Sequence, residues 1–284
     1  MTDGWELPAD LAEQARRFHA DGGVPVTPRR AATVVLLRDG AHGPEAFLVR
    51  RAASMAFASG MYAFPGGAVD PRDGEASPGW RGPSAAEWVR LLGLGSDAAS
   101  DPDVASADAE AARAVVSAAV REVFEEAGVL LAGPVAGAPV GEVTGDDWAA
   151  ARLSLVEHRA GLAELLAGRD LVVRSDLLRG WARWITPEFE PRRYDAFFFV
   201  AELPPGQRAR EVGGEADRAA WMRPEDAVSG YDAGALAMLP PTVSMLAALR
   251  GFRCAADILA VSHEPLRPVT PRVVWAGSGG RLVV

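Results

Sequence analysis

Residues 121–129 read REVFEEAGV, which sets one arginine and three glutamates on the last turns of a helix. Glu122, Glu125 and Glu126 stand at i, i+3 and i+4, so their carboxylates share one face with Cβ atoms about 5–6 Å apart. Two local rules are broken here. Glu122 and Glu126 are like charges at i,i+4, a pairing that costs about 0.2–0.5 kcal/mol. All three also sit at the negative end of the helix macrodipole, where cations are preferred. Such conflicts concentrate at functional sites. Carboxylates gathered without histidine or cysteine suit a hard divalent cation such as Mg²⁺ or Mn²⁺, which takes carboxylate oxygens, waters and substrate phosphates as ligands. A bound cation would remove both penalties. Arg121, four residues before Glu125, is placed to orient a carboxylate through a forked hydrogen bond.

The elements that must position these groups are read from periodicity. Ala112, Val115, Val116, Ala119, Val120, Val123 and Ala127 recur at three- and four-residue spacing, predicting a helix over 107–127 that Gly128 stops. AATVVLLRDG (31–40) and EAFLVRR (45–51) read as a hairpin of β-strands, and MYAFPGGAVD (61–70) as a short strand entering a Gly-Gly turn. Residues 71–106, rich in Pro, Gly, Asp, Ser and Ala, read as an excursion from the core with one helix of its own. A second, helical insertion is expected over 146–181. Strands return at 182–186, 194–203 and 216–222. Helices follow from Pro224 and from Pro240, proline fitting a helix start, and the tail reads as a hairpin. Interleaved strands and helices with an antiparallel beginning predict an α/β fold, a mixed β-sheet sandwiched between helices, in a single domain over 1–284.

Bulk properties exclude several functions. The chain of 284 residues carries a formal net charge of -9. That opposes sequence-independent binding to nucleic acid or anionic membrane, which needs clustered Lys and Arg. It does not oppose an anionic small substrate, because a metal ion or a few local arginines reverse the potential of one pocket. The one cysteine, Cys254, forms no internal disulfide and is expected as a small buried hydrophobe. No signal peptide or membrane-spanning stretch is legible, so a cytoplasmic location is expected. His158 and His263 stand apart from any ligand or nucleophile constellation.

REVFEEAGV resembles the second half of the Nudix box, G-x5-E-x7-R-E-U-x-E-E-x-G-U, with Arg121, Glu122, Glu125, Glu126 and Gly128 at its fixed positions and Val123 and Val129 at the aliphatic ones. FPGG at 64–67 resembles the usual approach to the box, with Gly67 as its first glycine. The spacing departs: Gly67 and Arg121 lie 54 positions apart where the family pattern has 14. The segment 71–106 accounts for most of the excess. Counting forward from Gly67, the first glutamate of the box falls on Asp73; counting back from Arg121, it falls on Arg113. Asp73, Glu75 and Glu110 are the open candidates for that role. An insertion at this place is similar to one branch of the family, the peroxisomal coenzyme A diphosphatases and their bacterial relatives. RWITPEFEPRRYDAFFFVAELPPGQ (183–207) and GGEADRAAWMRPEDAV (213–228) look like that branch's later strands. RAASMAFASGMYAFPGG (51–67) partly fits a coenzyme A signature, with Ala56 where an arginine is expected. The resemblance covers roughly residues 30 to 250.

The resemblance implies a Nudix fold and cleavage of a diphosphate linked to another moiety, with Mg²⁺ or Mn²⁺ held by Glu122, Glu125, Glu126 and the carbonyl of Gly67. Glu122 and Glu215 are the leading candidates for the general base, Glu211 a weaker one, and Arg121 supports the catalytic carboxylates. Arg50, Arg51, Arg192 and Arg193 are candidates for holding substrate phosphates, one of each adjacent pair facing the site. Phe197, Phe199 and Trp221 are base-stacking candidates, though strand aromatics commonly belong to a core. Coenzyme A or an acyl-CoA is the leading substrate. ADP-ribose, NADH, dinucleoside polyphosphates and nucleoside triphosphates are alternatives, as is a non-catalytic ligand-binding or regulatory module. No nucleic acid or membrane partner is implied; a homodimer, common in the family, stays open.

Overall fold

The computed structural model describes residues 4–52, 58–74, 79–95, 102–210, 216–262, 265–277 and 279–284. Its centre is a mixed sheet. The order of the six main strands is Ala216–Met222, Gly43–Arg51, Arg29–Gly40, Tyr194–Glu202, Arg179–Ile185 and Pro268–Val269. Tyr194–Glu202 runs parallel to Arg29–Gly40, while Gly43–Arg51 pairs with it antiparallel through a turn that matches Gly40 with Gly43. The uninterrupted apolar run on the Arg29–Gly40 strand has a direct cause, since both of its faces are covered. Ala32, Val34 and Leu36 face one core with Phe197, Phe199 and the helix Pro102–Ala127. Val35 and Leu37 face a second core with Phe198, Val200 and the helices Pro224–Asp232, Pro240–Ala248 and Ala255–Leu259. The mixed sheet between helical layers is the arrangement expected.

The sheet is split where the site forms. Gly43–Arg51 stays paired with the first long strand only from Leu37 to Gly40. The short strand Gly66–Ala68 takes the place beside Ala31 to Thr33, and Tyr62–Ala63 pairs with Val49 and Arg50. Gly66 has to be glycine, because a Cβ there would stand 2.5 Å from the carbonyl oxygen of Ala32.

The segment 71–106 differs from the expectation of an excursion. It contains the helix Ala85–Leu91, started by a capping box in which Ser84 and Glu87 satisfy each other's backbone N–H groups. That helix sends Trp88, Leu91 and Leu92 into the first core, and Trp88 meets Phe199 edge to face at 5.7 Å. Its apolar patch, which the sequence shows as a few residues in polar surroundings, is core surface. The long helix also begins at Pro102, five residues before the periodic pattern, with proline in its first turn. The second insertion holds the helices Asp146–Val156 and Leu162–Ala167 and the strand Val172–Arg174, which joins Trp80–Arg81 and Ala132–Gly133 in a small separate sheet. The tail forms the expected hairpin, Arg272–Ala276 with Gly279–Val283, and Trp5–Glu6 adds to it. Cys254 is half-buried rather than buried. Among the described residues no helix is long and apolar enough to cross a membrane.

Trp88→Ala removes an indole from a packed core and is expected to lower unfolding stability by about 3–5 kcal/mol. Denaturant titration followed by two probes checks it. An unchanged midpoint would return the 71–106 segment to the role of a detached excursion.

Candidate active site

The long helix lies on the sheet with Val115, Val116, Ala119, Val120 and Val123 fully buried, and this orientation turns its adjoining face toward the Gly66–Ala68 strand. The chain leaves the helix at Gly128, whose φ of 65° is the left-handed value that favours glycine. Two contacts lock helix to strand. The N–H of Gly66 donates to Glu126 Oε2 at 3.2 Å. A Cβ on Gly67 would stand 2.5 Å from Glu122 Oε1, so only glycine lets the backbone approach this carboxylate.

Arg121 organises the rest. Its Nε and Nη2 donate to the two oxygens of Asp73 at 2.9 Å each, its Nη1 donates to Glu122 Oε1 at 2.8 Å and Glu125 Oε2 at 3.2 Å, and its Nη2 also reaches the carbonyl of Ala68 at 3.0 Å. The fork expected to grip a nearby glutamate thus grips Asp73, from the 3₁₀ turn Pro71–Gly74. Of the three candidates for the first acidic position of the box, Asp73 is buried against Arg121. Glu110 lines a neighbouring depression, and Glu75 lies outside the described residues.

Burial shapes the electrostatics. Desolvation pushes the Glu122 carboxyl up to about 7, against the pull of Arg121 and with help from the charge on Glu125. Desolvation likewise raises Glu125. Burial works against the charge on Arg121, but Asp73 and both glutamates outweigh it and hold the guanidinium ionised. At the helix end, Arg152 Nη1 donates to the carbonyl of Glu125 at 3.1 Å, placing a cation where the macrodipole is negative.

Glu122, Glu125 and Glu126 share one wall of a cleft of about 620 Å³ with Gly66 and Gly67, and Arg29, Arg51, Tyr62, Thr186, Tyr194 and Phe198 contribute elsewhere to its lining. Glu125 Oε1 is buried and has no hydrogen-bond partner among the described residues, which is unusual for a carboxylate oxygen and fits a position that a cation would fill. Among the described residues, no three acidic, histidine or cysteine side chains are close enough to enclose an ion by themselves. The carboxylate oxygens that line the cleft are donors of the kind a hard divalent cation takes together with waters and substrate phosphates. The donor set therefore fits a hard divalent cation.

The phosphate-binding candidates separate. Arg51 lines the cleft, whereas Arg50 points away into a forked pair with Asp217 at 2.6 and 2.8 Å. Arg193 is buried and donates to the carbonyls of Thr186 and Val26, and Arg192 is exposed; neither lines the cleft. Phe197 and Phe199 are core residues, and Trp221 packs on Phe47 beneath the Arg38 guanidinium. Glu211, Glu215 and His263 lie outside the described residues. Arg29 and His158 are charged or titratable cleft residues that the sequence does not single out. Arg29 differs from any surface arginine only through its place in the sheet, and His158 only through the fold of the insertion.

In the metal-free protein, a carboxyl raised in the folded state stabilises the fold while protonated. For Glu122 that contribution is present below about pH 4.5 and is lost as pH rises through about 7. Thermal unfolding in EDTA is therefore expected to weaken from pH 5 to 8, Mg²⁺ is expected to restore stability, and Glu125→Gln is expected to be as stable as the native protein or slightly more so in EDTA at pH 8. Unfolding of that variant with its metal response intact would count against the assignment.

Comparison with known proteins identifies the family. The family pattern described as the NUDT19 Nudix domain matches residues 28–249. The acyl-coenzyme A diphosphatase NUDT19 of Gallus gallus is 26% identical over 285 residues, covering 83% of this chain and 71% of its own. The crystal structure of a NUDIX hydrolase from Alicyclobacillus acidocaldarius superposes with a TM-score of 0.67 at 29% identity, covering 84% of this chain and 97% of that one. With the family pattern spanning most of its length and the box residues gathered at one cleft, the chain belongs to the Nudix hydrolase family.

Proposed function

We propose that this protein is a metal-dependent diphosphatase that cleaves coenzyme A or an acyl-CoA. The observation that carries the hydrolase reading is the buried, unpartnered Glu125 oxygen beside Glu122 and Glu126 on the cleft wall. The insertion between Gly67 and Arg121, and the likeness to an acyl-coenzyme A diphosphatase, support the choice of substrate.

In this reading the carboxylates of Glu122, Glu125 and Glu126 and the carbonyl of Gly67 hold Mg²⁺ or Mn²⁺. When bound, the cation supplies neutralisation of charge on the non-bridging phosphate oxygens. The chain does the remainder. Arg121, fixed by Asp73, holds Glu122 and Glu125 in register, so their oxygens do not reorganise during the reaction. Water attacks one phosphorus, and the bridging oxygen leaves with the other phosphate. Glu122 and Glu215 are the candidates for taking the proton from that water. Arg51 binds the diphosphate from the facing side of the cleft. The half-apolar lining contributed by Tyr62, Phe198 and Leu239 accommodates the organic part of the substrate.

A product assay by mass spectrometry tests the reading. The purified protein is incubated with coenzyme A, acetyl-CoA, ADP-ribose, NADH and diadenosine polyphosphates, with Mg²⁺ or Mn²⁺ and with EDTA controls. Adenosine 3′,5′-bisphosphate and a phosphopantetheine product, formed only with metal, are the expected outcome. Cleavage of another member alone would keep the hydrolase and discard coenzyme A. Glu125→Gln is expected to lower turnover more than about 100-fold, beyond the usual loss for a residue that only supports a ligand. Arg51→Ala is expected to act mainly on KM.

A further inference from the structure

His158 occupies a position that ordinarily belongs to glycine. The helix Asp146–Val156 ends in a Schellman turn: the N–H of His158 donates to the carbonyl of Leu155, and that of Arg159 to the carbonyl of Ser154, each at 2.8 Å. The residue at the corner of such a turn is left-handed, and His158 has φ of 53°. A side chain in this conformation costs about 1–2 kcal/mol, which glycine avoids. Residues held in strained conformations of this kind cluster at sites where the side chain is used.

The surroundings indicate that use. His158 lines the same cleft as Glu122, Glu125 and Glu126. Its Nδ1 stands 3.5 Å from Asp70 Oδ2, within the range of an ion pair. The other Asp70 oxygen accepts from the backbone N–H and Nε of Arg72 at 2.9 and 3.2 Å, and Arg72 Nη1 returns to the carbonyl of His158 at 2.8 Å. The turn is thus held at its backbone, and the imidazole stands beside Asp70. The Asp70–Gly74 segment is tied in turn to the carboxylate helix through Asp73 and Arg121. From the other side, Arg152 reaches the Glu125 carbonyl and Trp148 meets Phe124 edge to face at 6.1 Å. The second insertion is therefore clamped to the helix that bears the glutamates, and His158 is the polar side chain it delivers to the cleft. With Nδ1 turned to a carboxylate, Nε2 is the ring atom left for a ligand.

We propose that His158 contacts the substrate with both ring nitrogens as donors, Nδ1 toward Asp70 and Nε2 toward a non-bridging oxygen of the diphosphate, with Asp70 as the positioning residue. The inference rests on the hydrolase reading above and deepens it: the insertion completes the phosphate site. A merely structural histidine predicts the opposite consequence of replacement by glycine.

The test uses the full chain with Mg²⁺ and three variants, His158→Gly, His158→Asn and His158→Ala. Glycine and asparagine both accept the left-handed backbone, so they remove the imidazole without disturbing the turn. Thermal unfolding, calorimetric binding of α,β-methylene-ADP and steady-state turnover are measured together. The glycine variant is expected to unfold at the same temperature as the native protein or higher. All three variants are expected to bind the analogue, and to show kcat/KM, about 10- to 100-fold below the native values, the range for a lost hydrogen bond to a charged group. Native-like binding and turnover in the glycine and asparagine variants would overturn the inference while leaving the hydrolase reading intact. A glycine variant that is less stable than the native protein would make His158 structural, which also overturns it. A native protein that neither binds the analogue nor hydrolyses any diphosphate would bring down the hydrolase reading and this inference together.

Discussion

Everything in the cleft depends on one buried guanidinium. Arg121 is 7% exposed, and its donors are engaged by Asp73, Glu122, Glu125 and the carbonyl of Ala68. A buried cation without such partners would be strongly destabilising, and so would the carboxylates without it. The arginine resolves the conflict set by three glutamates at the negative end of a helix. It neutralises part of their charge from within and leaves one buried Glu125 oxygen without a hydrogen-bond partner among the described residues. One guanidinium set against Asp73 and three glutamates leaves the site short of positive charge and incomplete on its ligand side.

The same guanidinium joins segments far apart in the chain. Asp73 follows the glycine strand, whereas Arg121 comes after the whole first insertion, 48 residues on. The insertion can be long because its two ends are brought together by this pair and by the packing of Trp88 on the core. The glycines complete the arrangement from the sheet side. Gly66 fits against the carbonyl of Ala32, and Gly67 fits against the carboxylate of Glu122, so that one short strand touches both the sheet and the helix that bears the glutamates. A methyl group on Gly66 would press on the backbone of Ala32, and one on Gly67 would displace the Glu122 carboxylate from its place beside Arg121.

Much of this was legible from residue order. The helix carrying the glutamates showed in its apolar spacing, the central strands in aliphatic runs with both faces covered, and the fold class in the alternation of strands and helices. The Nudix resemblance rested on residues that stand together in the cleft. The first acidic position of the box was not legible, because counting from Gly67 and counting from Arg121 lead to different residues once a long insertion separates them. Asp73 is singled out only by its forked contact with Arg121 in space. Likewise Arg50 and Arg51 are equivalent as letters, and a strand's alternation says that one of them faces the cleft without saying which. Pairing of Arg50 with Asp217 on the adjacent strand separates them. Arg193 read as a phosphate ligand because it is basic and beside a strand; in the fold its donors close a backbone turn.

The sequence by itself determined the cluster of carboxylates, the helix that presents it and the family to which the chain belongs, because helical spacing and the box motif are local properties. Tertiary structure alone decided which loop residue pairs with Arg121, which arginine enters the cleft and that a histidine from a helical insertion stands there. Those outcomes turn on contacts between segments dozens of residues apart. Local propensity carries no information about such contacts: at His158 the turn's own preference is for glycine, and the clamp formed by Arg72, Asp70 and Arg152 places an imidazole at the cleft instead.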